Sequence, residues 1–190
     1  MLTDFDIRAK LIEKIHKENQ GKHYRVIEEL GICDGLARAD IAVANGVLLG
    51  YEIKSDHDSL ERLPNQVICY DKTFDKNTII VGEKFADKIH EFVPDYWGIE
   101  VAYINRFNHV SLKRIRASRR NQHIVATNLL DLLWTPEIKS FLKQNKVRGY
   151  SNKDKAGLKE LATSFIPIKD LKEFTRETLK TRTGWREDLL

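Results

Sequence analysis

The sequence predicts an α/β protein, a mixed β-sheet flanked by helices in the order helix, three strands, helix, strand, followed by a C-terminal helical extension. Three observations carry this. Residues 4–19 space their apolar side chains as a helix does, the chain between Tyr24 and Lys54 reads as three strands, and beyond about Asn128 strand signals give way to Leu-rich helical spacing.

In residues 4–19, Ile7, Leu11, Ile12 and Ile15 fall on one helical face, with Thr3 or Asp4 as N-cap. A first strand follows near Tyr24–Leu30. The second runs through Ala39-Asp40-Ile41-Ala42-Val43 and the third through Val47 to Lys54, with Asn45-Gly46 between them. Both turn residues tolerate the positive φ angles of tight reversals, so the two strands are predicted to be antiparallel neighbours. Helical segments starting at Asp58 and Pro64 run towards Phe74, and Thr78-Ile79-Ile80-Val81 reads as a buried strand. A helix near Glu83–Phe92 and strands near Gly98–Ile104 and Val110–Ile115 extend the sheet. The domain boundary is set at 125/126, with residues 126–190 forming a helical unit that includes Leu129–Trp134, Ile138–Leu142 and Leu158–Leu161. From Lys169 the chain shows helical spacing in Leu171, Phe174 and Leu179, and its last polar residues are expected to be disordered.

The chemistry-bearing residues sit on the second and third strands. Successive strand residues face opposite ways, so Glu52 and Lys54 share a face. If Ile41 and Val43 share the face of Leu49, Tyr51 and Ile53, then Ala44 pairs with Leu48, the connection has three residues, and Asp40 joins Glu52 and Lys54 on the other face. Two convergent carboxylates are hard oxygen ligands suited to Mg²⁺ or Mn²⁺. An ammonium beside them could orient water and offset charge on a phosphoryl oxygen, which points to phosphodiester hydrolysis.

Asp40 with Glu52-Ile53-Lys54 resembles the Asp and (Glu/Asp)-x-Lys signature of the PD-(D/E)XK nucleases, the restriction-endonuclease-like superfamily, with Ala39 where the nominal motif has Pro. Gln66 and Tyr70 add a Gln-x-x-x-Tyr spacing similar to that of the RecB-like exonuclease branch, and the run from Glu29 to Val81-Gly82-Glu83 is similar to a group of short prokaryotic members. The resemblance implies a restriction-endonuclease-like αβββαβ core over residues 1–125 and Asp40 and Glu52 as Mg²⁺ ligands. It further implies Lys54 assisting the attacking water and Gln66 and Tyr70 lining the site. Glu29 matches an upstream acidic ligand position, with Glu28 as its competitor. A homodimer is allowed by analogy. In the extension, Ile138–Leu142, Val147–Ser151 and Leu158–Leu161 are similar to SAP-like DNA-binding modules; the alternative is a helical buttress on the core.

Charge is unevenly distributed: residues 1–110 carry 14 Lys/Arg against 19 Asp/Glu, the remainder 18 against 9, so −5 is followed by +9. Lys113, Arg114, Arg116, Arg119 and Arg120 form the densest basic cluster and are the predicted phosphate contacts of a DNA partner, with RNA left open. Cys33 and Cys69 form neither a disulfide framework nor a Cys-x-x-Cys pair, and the histidines show no zinc spacing. No apolar run approaches the ~20 residues of a membrane span and no export signal is seen, so a cytoplasmic protein is expected. The leading expectation is a Mg²⁺-dependent deoxyribonuclease. The first alternative is a nucleic-acid-binding accessory protein of DNA repair or mobile elements that keeps the nuclease fold with little turnover. The second is an interface protein in which Asp40 and Lys54 form an ion pair.

Overall fold

Local signals in the chain start and stop most of the elements where they are expected. The computed structural model describes residues 1–185. Helix α1 spans Asp4–Glu18, and Thr3 closes a capping box: its hydroxyl accepts from the Asp6 N–H while the Asp6 carboxylate accepts from the Thr3 N–H. The strands are β1 (Arg25–Ile32), β2 (Ala37–Ala44), β3 (Leu48–Lys54), β4 (Lys76–Gly82), β5 (Gly98–Ile104) and β6 (Val110–Arg116). Helix α2, Leu63–Thr73, with Pro64 in its first turn, links β3 to β4. The remaining helices are α3 (Ala126–Asp131), α4 (Thr135–Gln144), α5 (Lys155–Phe165) and α6 (Ile168–Thr181).

The strands form one six-stranded mixed sheet in sequential order. The β1–β2, β2–β3 and β5–β6 pairs are antiparallel, and the central β3–β4 and β4–β5 pairs are parallel. Helix α1 covers one face, burying Ile7, Leu11 and Ile15 against Ile41, Val43, Ile53 and Ile80. Each such side chain contributes roughly 1.5–3 kcal/mol of burial. The opposite face carries α2, α3 and α6, whose Leu63, Tyr70, Leu129, Leu132 and Leu179 pack with Ile79, Val81 and Trp97.

Three local expectations differ from the structure. No helix starts at Asp58, because its carboxylate accepts from the Ser55 N–H and Oγ and closes a turn. Glu83–Phe92 is two 3₁₀ turns, Glu83–Phe85 and Ile89–Glu91. Phe85, Ile89 and Val93 are buried at a spacing of four, which imitates an α-helix, but the N–H groups of Ala86, Lys88, Glu91 and Phe92 each bond three residues back. The Asn45-Gly46 reversal uses no positive φ; Asn45 closes it with its side chain, which accepts from the Val47 N–H at 3.0 Å.

The helical extension has its own apolar centre, in which Leu130, Leu133, Ile138, Phe141, Leu142, Leu158 and Leu171 meet. It is also tied to the sheet domain: Lys172 pairs with Asp75 at 3.1 Å, and Asn128 donates to the Cys33 sulfur. Residues 145–154, with Gly149 at φ 82°, connect α4 to α5. The expected disorder of the last polar residues falls on 186–190, outside the described residues. Among the described residues no helix is long and apolar enough to cross a membrane.

Candidate functional site

The site begins with strand register. Ala44 pairs with Leu48 and Ile41 with Tyr51, so the next step of the ladder sets Asp40 opposite Glu52. Ile41, Val43 and Ile53 point into the core beneath α1, which leaves Asp40, Glu52 and Lys54 on the α2 side.

At that step the ladder opens, and side chains replace its backbone bonds. The Ile53 N–H donates to Asp40 Oδ2 at 2.7 Å. The Tyr70 hydroxyl enters the gap, accepting from the Asp40 N–H at 3.2 Å and donating to Glu52 Oε2 at 2.7 Å, with the Tyr51 carbonyl as a second acceptor within 3.1 Å. Gln66, one turn earlier on α2, donates from Nε2 to Glu52 Oε1 at 2.6 Å, and Lys54 Nζ donates to the same oxygen at 2.6 Å. All five residues expected at the centre of the site therefore converge: Gln66, Tyr70 and Lys54 bind Glu52, and Tyr70 also holds the backbone of Asp40. The Asp40–Lys54 ion pair expected of an interface protein is replaced by one between Glu52 and Lys54.

Glu52 and Lys54 are dry, Asp40 is partly exposed at 21%, and the group is short of positive charge. The Glu52 side chain is 1% exposed and that of Lys54 6%. Burial and then repulsion from Glu52 push the Asp40 carboxyl up to about 7, against the opposing pull of the Ile53 N–H, Arg8 and Lys54. Burial, followed by the charges of Glu52 and Asp40, raises the Tyr70 phenol well above its ordinary value and keeps it a hydrogen-bond donor.

Sequence reasoning missed Arg8. From α1 its guanidinium lies 3.0 Å from Asp4, 3.4 Å from Glu28, 3.0 Å from Glu29 and 3.5 Å from Asp40, and it donates to the Asp40 carbonyl at 2.8 Å. Burial opposes its charge, but Asp4, Asp40 and Glu29 raise its pKa. Its i,i+4 spacing from Asp4 was visible in the sequence; its reach across to Asp40 was not.

Glu29 meets the pair through Arg8, which also contacts Asp40. It has φ 53°, and its carboxylate is shared between Arg8 and, at 3.3 Å, Arg38. The basic cluster lies three strands from β3. Arg114 turns to the α1 side, towards Glu100 and Glu18; Arg116 donates to the carbonyls of Trp97 and Pro94; Arg119 pairs with Asp95. Lys113 and Arg120 are exposed at that edge.

The donor set suits a small hard cation. Among the described residues no group of three or more His, Cys, Asp and Glu side chains gathers to hold a metal ion. A cation at Asp40 and Glu52 would have two carboxylates and fill its shell with water, as Mg²⁺ commonly does. Two features fit: Asp40 and Glu52 share one buried ammonium and an Arg8 that three other acids also engage, and the buried Gln66 Oε1, beside Glu52, has no hydrogen-bond partner.

Fold and site together define an α/β protein in which a buried glutamate and lysine meet a partly exposed aspartate at the opening of a strand pair. Residues 2–190 match the family described as bacteriophage P4 protein cII, and the chain belongs to that family. It is similar to Protein cII of Enterobacteria phage P4, with 29% identity over 182 residues that cover 96% of this chain and 68% of that protein. No solved structure matches the chain.

Proposed function

We propose that this chain is a metal-dependent nuclease acting on DNA, with the restriction-endonuclease-like core that its α1-β1-β2-β3-α2-β4 order resembles. The observation that carries the reading is the register that sets Asp40 against Glu52 with Lys54 beside them. Mg²⁺ or Mn²⁺ held by Asp40 and Glu52 would activate water and polarise the phosphate. Gln66 and Tyr70 act as positioning residues that fix both oxygens of Glu52. Lys54, anchored on Glu52, brings a positive charge to the phosphoryl oxygen and orients the attacking water. Arg8 neutralises part of the surrounding acid, and a cytoplasmic location belongs to the same reading.

A second reading, an accessory protein that binds nucleic acid with little turnover, is favoured by how fully Glu52 is engaged by Lys54, Gln66 and Tyr70. The test is cleavage of labelled single-stranded, double-stranded and flapped DNA with Mg²⁺ or Mn²⁺. Cutting by the wild type that is lost in both Asp40→Ala and Lys54→Ala supports the nuclease; binding without cutting, unchanged by Asp40→Ala, supports the accessory protein.

A further inference from the structure

Helix α2 has a polar side that the core does not use. Arg62, just before the helix, and Asn65, Gln66 and Lys72 fall on one face by their spacing, with Cys69, itself part of the core, beneath them. That face borders an open groove of about 1120 Å³, whose other walls are the β1–β2 turn and the start of α3, and which ends at Asp40 and Gln66. The turn is unusual: Cys33, Asp34 and Gly35 take φ values of 51°, 56° and 86° in succession. The first two are non-glycine residues in a costly region, of order 1–2 kcal/mol each. Cys33 is held there from both sides, its thiol donating to the Cys69 carbonyl and its sulfur accepting from Asn128 Nδ2 at 3.1 Å. The turn holds Leu36 out at 86% exposure, beside the half-exposed Ile68 of α2.

We propose that this groove binds a single strand of nucleic acid and delivers it to Asp40 and Glu52; the inference rests on the nuclease reading. Arg62 and Lys72 stand roughly 15 Å apart at the helical rise of 1.5 Å per residue. Neither has an acidic side-chain partner among the described residues, so both can meet phosphates. Of the acidic residues on the walls, Asp131 is neutralised by Lys159 and Glu29 by Arg8 and Arg38; Asp34 stands at the turn. Leu36 and Ile68 offer apolar contact to unstacked bases, which a duplex keeps inside and an acidic peptide does not have. Through α3 the helical extension supplies a wall of the strand's path.

The test is anisotropy of a labelled oligodeoxynucleotide and of its duplex in EDTA, where binding is read without turnover. Wild type is compared with Arg62→Glu/Lys72→Glu and Arg62→Gln/Lys72→Gln, folding being checked by circular dichroism. The expected results are preference for the single strand, ~10-fold or greater loss of affinity in the Glu variant with a smaller loss in the Gln variant, and a salt slope shallower by about 1.4 for two phosphate contacts. The proposal is overturned by wild-type affinity in both variants, by tighter binding of the duplex, or by loss confined to Lys113→Glu/Arg120→Glu. Groove binding without metal-dependent cleavage by the wild type would instead sink the nuclease reading and leave the groove standing.

Discussion

Strands β3 and β5 flank β4, and each buries a glutamate, but the two carboxylates face opposite sides of the sheet and keep different company. Glu100 on β5, 5% exposed, meets Lys14 of α1 and Arg114 of β6, and the same two cations approach Glu18. Two acids are matched by two bases. On the α2 side, Glu52 and Asp40 have one buried ammonium, Lys54, while Arg8 is divided among Asp40 and three other acids. Buried charge is therefore not the mark of a functional site in this protein. The α1-side cluster is balanced in charge, as a structural ion cluster should be, whereas the α2-side cluster lacks a positive charge that a divalent cation would supply.

The largest expected contrast is in cleavage. Glu52→Gln should reduce metal-dependent DNA cutting by about 10²-fold or more, whereas Glu100→Gln should stay within about twofold of wild type in single-turnover assays. If both fall alike, the distinction between the clusters is wrong.

Stability should separate them in the opposite direction. Glu100→Gln leaves Lys14 and Arg114 facing each other with less counter-charge and should cost about 1–3 kcal/mol, discounted for the partial exposure of both cations. A fall in melting temperature of about 2–4 °C per kcal/mol would register it. Asp40→Asn should do the reverse in metal-free buffer. The folded carboxyl titrates at about 7, above its ordinary 3.8, so the folded state holds the proton more tightly. That contribution is present at low pH and is lost as pH rises through 7. The variant should accordingly melt well above wild type at pH 8, with an offset that narrows steadily as pH falls towards 4; an offset independent of pH would contradict the burial and the repulsion from Glu52 that raise the Asp40 carboxyl.

The smallest effect concerns Arg8. Removing this cation, 3.5 Å from the Asp40 carboxylate, should tighten Mn²⁺ binding a few-fold while lowering the metal-free melting temperature, both readable by thermal titration. Weaker Mn²⁺ binding in Arg8→Ala would mean that Arg8 organises the acidic site instead of competing with it.

The parts of this site legible in the sequence were those governed by strand parity. The pairing of Ala44 with Leu48 follows from matching apolar faces, and it alone turns Asp40 towards Glu52. The four-residue spacing likewise put Gln66 and Tyr70 on one side of α2. What stayed hidden depends on contacts between distant segments. Nothing near Arg8 announces that its guanidinium reaches Asp40 in the middle of β2. The density of Lys113–Arg120 says nothing of the Trp97, Pro94, Asp95 and Glu100 groups that engage Arg116, Arg119 and Arg114. Arg62 and Lys72 form no run in the sequence, yet the helix sets them along one groove. The 3₁₀ turns at Glu83–Phe85 and Ile89–Glu91 escaped because burial at a spacing of four does not distinguish i→i+3 from i→i+4 backbone bonding.

The central claim is that Asp40 and Glu52 together lack one divalent cation. Calorimetric titration with Mn²⁺ of the wild type, Asp40→Asn and Glu100→Gln tests it directly. The account predicts one saturable ion per wild-type chain, loss of that binding in Asp40→Asn and its retention in Glu100→Gln. No binding to the wild type, or equal binding to Asp40→Asn, would contradict it.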